Sequence, residues 1–227
     1  RTIPDDVDVQ QSRTAIFGQN SLETDHLIIK WQECGPITSI YDKALDKEML
    51  NGLGNVLQIF EDKPLKYDAW DIDLFYKEKE MNLKASHFEI GENNALFASI
   101  HFSYDIGQSS IKQEMKVYKH TKRIDFVTLI DWQERQQLLQ TKFEIDIRAT
   151  EATYDIQYGN VKRPTHANTS WQLAQFESVG HQWADISDKS AGVSILNDCK
   201  YGYDIKENII RLTLLKGAIY PDPTADI

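Results

Sequence analysis

The stretch "QLLQTKFEIDIR", Gln137–Arg148, decides how the rest of the chain is read. From Leu139 onward it alternates: Leu139, Thr141, Phe143, Ile145 and Ile147 fall on one side. Gln140, Lys142, Glu144, Asp146 and Arg148 fall on the other. An extended chain sends successive side chains to opposite faces, so this pattern makes a strand with one face buried. The same alternation sets Ile124, Phe126, Thr128, Ile130 and Trp132 against Asp125 and Asp131. It also sets Ile111, Met115 and Val117 against Lys112, Glu114 and Lys116. Leu27–Trp31, Ile37–Tyr41, Val56–Phe60, Leu96–Tyr104, Thr153–Tyr158, Val193–Leu196 and Ile209–Leu215 read the same way.

Turn-forming residues divide these runs, among them Cys34-Gly35-Pro36, Gly91-Glu92-Asn93-Asn94, Ile106-Gly107-Gln108, Gly159-Asn160 and Lys206-Glu207-Asn208. The basic Lys119-His120-Thr121-Lys122-Arg123 reads as a hairpin turn. No stretch of ten residues carries a helical period, although Asp42–Leu50 and Asp131–Gln137 each have room for a turn or two. Ten or more strands with little helix predict an all-β chain, a large antiparallel sandwich in one domain over 21–227. Residues 1–20 are polar and unpatterned and are expected to be a leader or linker.

Length and composition set limits on function. With 227 residues the chain can bury a substantial core. Its net charge of −10 argues against nucleic-acid backbone binding, which needs clustered Lys and Arg. No run approaches the roughly 18 apolar residues of a membrane helix. Two cysteines, Cys34 and Cys199, lie far apart and outside any CxxC pair, which points to a reducing, cytoplasmic setting rather than a disulfide framework. The six histidines form no HxH or HExxH pattern, so no metal site is expected in this chain.

Three stretches carry enough polar chemistry to form a site. In "PLKYDAWDIDLFY", Pro64–Tyr76, Asp68, Asp71 and Asp73 surround Tyr67 and Trp70. An aromatic ring stacks on the apolar face of a sugar while carboxylates accept its hydroxyls, although an acidic loop packed on its own tryptophan has the same composition. "RPTHANTSW", Arg163–Trp171, is rich in side chains that bond neighbouring backbone. "SILNDCKYGYD", Ser194–Asp204, ends an apolar run in Asn197, Asp198, Cys199, Lys200 and Tyr201, with Gly202 expected at positive φ. Ser194–Leu196 should be buried, and Cys199 lacks the neighbours of a catalytic thiol.

In order, "GNVLQIFEDKPLKYDAWDI", "RPTHANTSW…AQFESVGHQWADIS" and "GVSILNDCKYGYDI…LTLLKGAIYPDPTAD" resemble the C-terminal part of glycoside hydrolase family 38, the retaining α-mannosidases. "LETDHLIIKWQECGPITSIYDKALDKEML", Leu22–Leu50, resembles the hairpin that opens that family's β domain. The likeness is greatest to the cytosolic branch and covers about residues 20–227. It implies a β supersandwich related to galactose mutarotase. It also implies that zinc, its ligands and the nucleophilic aspartate belong to an N-terminal catalytic domain, so that no cofactor binds this fragment and it is inactive alone. Arg1 in place of an initiating methionine fits such a piece.

By the same resemblance the partners are that catalytic domain and a mannose-containing oligosaccharide, and a face left bare could drive self-association. Asp68, Trp70, Asp71, Asn197, Asp198, Lys200 and Tyr201 are the expected substrate contacts. Gln172 and Gln175 stand where cytosolic relatives tend to carry an acid and an arginine, so no substrate role is carried onto that segment. Two other classes remain open: a free-standing carbohydrate-binding module built on Tyr67 and Trp70, and a mutarotase-like epimerase using His101 or His181.

Overall fold

The computed structural model describes residues 13–221. The chain opens with five short strands, β1 (Ile16–Gly18), β2 (Ser21–Glu23), β3 (Leu27–Trp31), β4 (Ile37–Asp42) and β5 (Lys47–Glu48), which pair in sequence order. β6 (Val56–Glu61) and β7 (Glu80–Asn82) are joined by a long connection holding a 3-10 turn, Leu74–Lys79. A four-stranded meander follows: β8 (His87–Asn93), β9 (Phe97–Ile106), β10 (Ser109–Tyr118) and β11 (Ile124–Asp131). Next come β12 (Gln137–Glu144), β13 (Glu151–Ile156), β14 (Gly159–Pro164) and a one-turn helix α1 (Ser170–Leu173). β15 (Ser178–Val179), β16 (Trp183–Ser187), β17 (Gly192–Leu196), β18 (Gly202–Lys206) and β19 (Ile209–Lys216) complete the order.

Two further sheets assemble from these: β15-β18-β19-β12-β6-β7 and β14-β13-β16-β17. Every pairing between strands is antiparallel, so the chain is mostly β in several antiparallel sheets. No described helix is long and apolar enough to cross a membrane.

The alternating residues behave as their period requires. Ile111, Met115 and Val117 of β10 are buried, and Lys112, Glu114 and Lys116 face away. All four sheets feed one core that includes Ile29, Ile59, Ile100, Met115, Leu139, Tyr154, Ala184 and Leu212. Burying each such side chain contributes about 1.5–3 kcal/mol. One polar link crosses this core: Asn55 Nδ2 donates to Gln113 Oε1 (2.6 Å), and Gln113 Nε2 donates to Thr128 (3.0 Å). Thr141 on β12 donates to Asn55 Oδ1 (3.2 Å) and closes the set. Buried amides satisfied in this way fix the register of the meander against the six-stranded sheet.

Three expectations change. Residues 14–17, inside the expected leader, pack on the fold: Thr14 bonds Asn93 and Asn94, Ala15 lies in the core, and Phe17 packs on it. Residues 1–12 lie outside the described part. Asp42–Leu50 and Asp131–Gln137 form no helix; the first holds a hairpin between β4 and β5, the second an open connection. Gln140, read as solvent-facing, is fully buried. The connection of residues 62–79 covers that side of the sheet.

Candidate functional site

The antiparallel register brings the expected site residues to one end of the six-stranded sheet. β18 and β19 turn at Glu207 and Asn208, so Gly202 comes opposite Thr213, and Lys216 lies three residues beyond it towards the same open end. β6 finishes and β12 begins there too, because Glu61 pairs with Gln137 and Leu138 with Lys216. The 62–79 connection, hereafter the strap, leaves β6 at this end. It folds over the sheet face opposite the main core before rejoining as β7. A small second core of Phe60, Tyr76 and Leu138, with Ile72 and Phe176, pins it down.

Polar side chains fill the rest of the space under the strap. Arg211 bonds Asp204 (2.9 Å) and Gln58 (3.1 Å), Lys77 of the strap also reaches Asp204, and Gln58 bonds Asn82 of β7 (2.8 Å). Beside them, Thr213 donates to Glu177 (2.5 Å), and Gln140 donates to both Glu177 (3.2 Å) and Thr213 (3.0 Å). Burial pushes the Glu177 carboxyl up, against the pull of the Thr213 hydroxyl, and burial likewise raises the Tyr76 phenol. Asp62, at the strap's start, is raised by burial although Lys216 stands 2.6 Å away. This layer anchors the strap.

At the strap's crest, Asp68 is buried and accepts hydrogen bonds from the amides of Ile219 and Tyr220, both at 2.9 Å. Its role is to staple the strap to the chain after β19, and both carboxylate oxygens are engaged in doing so. Lys216 adds a bond to the Asp71 carbonyl (2.6 Å). The Trp70 and Asp71 amides close a tight turn on the Tyr67 carbonyl, with Tyr67 itself at φ 55°. The turn sets three rings in contact: Tyr67–Trp70 at 6.1 Å and Tyr67–Tyr220 at 5.3 Å are edge to face, and Trp70–Tyr220 at 4.9 Å is tilted. Trp70 remains 71% exposed and the Asp71 side chain is exposed beside it.

The second group precedes β18. Asn197 donates to the His181 carbonyl (3.1 Å) and bonds the Tyr203 hydroxyl (2.5 Å), while its Oδ1 accepts the Lys200 amide (2.5 Å). It therefore shapes the corner rather than facing solvent. Burial pushes the Tyr203 phenol up to about 12. Asp198, Cys199 and Tyr201 are exposed, Lys200 is half-buried, and Tyr201 meets His181 edge-on at 5.6 Å. The Asp198 carboxylate accepts the Cys199 thiol and holds its pKa above the usual value, the opposite of what a nucleophile needs.

Two details of this stretch differ from expectation. Ser194 and Leu196 are exposed, because β17 is an edge strand whose inward residues are Val193 and Ile195. Gly202 is not at positive φ. Its side-chain space is taken instead: a Cβ there would lie 2.7 Å from Glu177 Oε1 and 3.1 Å from Thr213.

Residues 22–224 match the family described as glycosyl hydrolases family 38 C-terminal domain. The chain belongs to this family. It is 41% identical over 201 residues to Alpha-mannosidase G of Dictyostelium discoideum, covering 85% of this chain and 18% of that protein. To human Alpha-mannosidase 2C1 it is 35% identical over 214 residues, covering 92% of this chain and 21% of that one. It thus spans about a fifth of the length of the curated relatives it matches. Its fold is that of an alpha-mannosidase crystal structure from Enterococcus faecalis V583, with a TM-score of 0.76 at 16% identity over 92% of this chain and 27% of that chain.

Among the described residues of this family 38 C-terminal domain, no group of three or more His, Cys, Asp or Glu side chains is placed to hold a metal ion. His101 lies between Glu89 and Glu114 across neighbouring strands of the meander, in a different sheet from both groups. In "RPTHANTSW", Thr169 bonds neighbouring backbone as expected, capping α1 in a capping box with Gln172, whereas Thr165 bonds the Ala149 carbonyl (2.5 Å), sixteen residues earlier. Sequence reading missed Tyr220, Lys216, Glu177 and the Asp204–Arg211 pair. A lysine closing the apolar run of β19 was the one local signal among them.

Proposed function

We propose that this chain is the C-terminal β domain of a retaining, zinc-dependent α-mannosidase that removes terminal α-mannosides, working in a reducing cytoplasm. In this reading it packs on a catalytic domain elsewhere in the parent protein and supplies loops to its sugar cleft, as a β supersandwich without activity of its own. The observation that carries the reading is the family match over 22–224, together with relatives called alpha-mannosidases of which this chain spans about a fifth. Of the expected sugar contacts, Trp70, Asp71, Asp198, Lys200 and Tyr201 are the ones whose side chains remain available. Asp68 and Asn197 are occupied in holding the fold. A lysine and two acids at one sheet end suit a polyhydroxylated ligand, which needs both donors and acceptors.

The test is hydrolysis of an aryl α-mannoside by the full-length parent and by this chain alone. The parent should turn over and the chain should not. In the parent, Asp198→Asn should lower kcat/KM about ten-fold, roughly 1.4 kcal/mol, with an unchanged melting temperature. An inactive parent, or a chain that hydrolyses unaided, refutes the reading. The exposed Tyr67–Trp70–Tyr220 rings favour one second reading, a free-standing carbohydrate-binding module, for which calorimetry of the chain with mannosides must give heat that Trp70→Ala abolishes.

A further inference from the structure

The strap concentrates exposed apolar side chains as no other segment does. Leu65 is 95% exposed, Trp70 71%, Phe75 68% and Tyr67 51%, and Tyr220, in ring contact with two of them, is 40% exposed. The three rings in mutual contact, Tyr67, Trp70 and Tyr220, leave roughly 300 Å² of apolar surface in water at 150–250 Å² for a full aromatic side chain, with Leu65 and Phe75 exposed on the same strap. A patch of that size is comparable with the largest on a typical monomer and marks an interaction surface. The surface is also held rigidly. Asp68 staples it to the Ile219 and Tyr220 amides, Lys216 to the Asp71 carbonyl, and Lys77 to Asp204 below. A preorganised patch loses little conformational entropy when it is covered.

We infer that the strap crest, Leu65 to Phe75 with Tyr220, is the docking surface for the remainder of the parent polypeptide, a partner face that is apolar at its centre and rimmed by Lys or Arg. This rests on the mannosidase reading, because the relatives carry about four-fifths of their length outside the matched part. Charge selects the partner's chemistry. Asp71, Asp73 and Glu78 are exposed on the strap and outnumber the exposed Lys66, while Lys63 and Lys79 both pair with Glu61. An acidic rim on a chain of net charge −10 repels a second copy of itself and attracts a basic one. Leu65 and Phe75 offer nothing to a sugar hydroxyl, so the patch as a whole suits protein better than carbohydrate.

The experiment is acrylamide quenching of tryptophan fluorescence in this chain and in the full-length parent, each compared with its Trp70→Phe variant to isolate the Trp70 signal. Trp70 should be quenched freely in this chain and at least five-fold less in the parent. Equal quenching in both overturns the inference while leaving mannosidase activity of the parent, measured on the same sample, to judge the other reading. Shielding in the parent that appears only after a mannoside is added also overturns it, in favour of a sugar platform. A dimer of this chain in sedimentation velocity that Trp70→Asp dissociates overturns it in favour of a second copy.

Discussion

Replacing Arg211 by Met tests whether the charged layer under the strap is a structural unit. The Arg211 side chain is 10% exposed and that of Asp204 not at all, and the guanidinium holds both Asp204 and Gln58. Removing one member of a buried ion pair costs about 3–5 kcal/mol, chiefly because the other charge is left without compensation. Lys77 still faces Asp204 from the strap, so the lower end applies, about 3 kcal/mol. With a urea m-value of about 2 kcal/mol/M, the unfolding midpoint should fall by about 1.5 M. Removing both charges, as Asp204→Leu with Arg211→Met, abolishes the uncompensated carboxylate and should recover more than half of that loss. Circular dichroism across a urea series reads both variants. A fall below about 0.5 M for Arg211→Met, or a double variant weaker than the single one, would show that the strap does not depend on this pair.

Gly202→Ala should destabilise by about 1–3 kcal/mol, because the added Cβ collides with Glu177 and Thr213; an unchanged thermal midpoint would place the close approach in doubt. Glu177 is raised by burial, so the folded state binds its proton more tightly than the unfolded chain. Its neutral form stabilises fully below the unfolded carboxylate pKa, and this is lost as pH rises through the folded value. Glu177→Gln should therefore melt higher than wild type at pH 7, with the gap closing towards pH 4, and a variant less stable at pH 7 contradicts this. Asp198→Ala should speed alkylation of Cys199 several-fold, read by mass spectrometry of its peptide, since the acceptor that holds the thiol up is gone; an unchanged rate would mean that the carboxylate does not control the thiol.

Much of the fold was legible from alternation, and the limits of that signal are instructive. β10 and β11 follow their period residue by residue. β8, with mostly exposed side chains, and β14, β16 and β18, with short or polar patterns, gave too little contrast to stand out. In the candidate site, the sequence singled out stretches but not the structural duties of their members. Asp68 and Asn197 look like ligand-binding groups in a list of residues, yet their atoms are spent on backbone amides and carbonyls. Cys199 was discounted for want of activating neighbours in sequence, and in the structure the Asp198 carboxylate holds its thiol above the usual value.

By itself the sequence determined that the chain would pair into antiparallel strands, and which residues share a face, because period-two burial is a local property of extended backbone. It also determined the family, through long ordered motifs. Only the tertiary structure decided what covers each face. Gln140, Arg211 and Thr213 occupy polar positions in their strands, and nothing local says that a connection from another part of the chain lies over them. Nor does any local pattern bring Tyr220 against Tyr67 and Trp70, some 150 residues earlier. Burial of a polar position depends on which distant segment returns to it, and that contact is settled by register and packing rather than by neighbours in sequence.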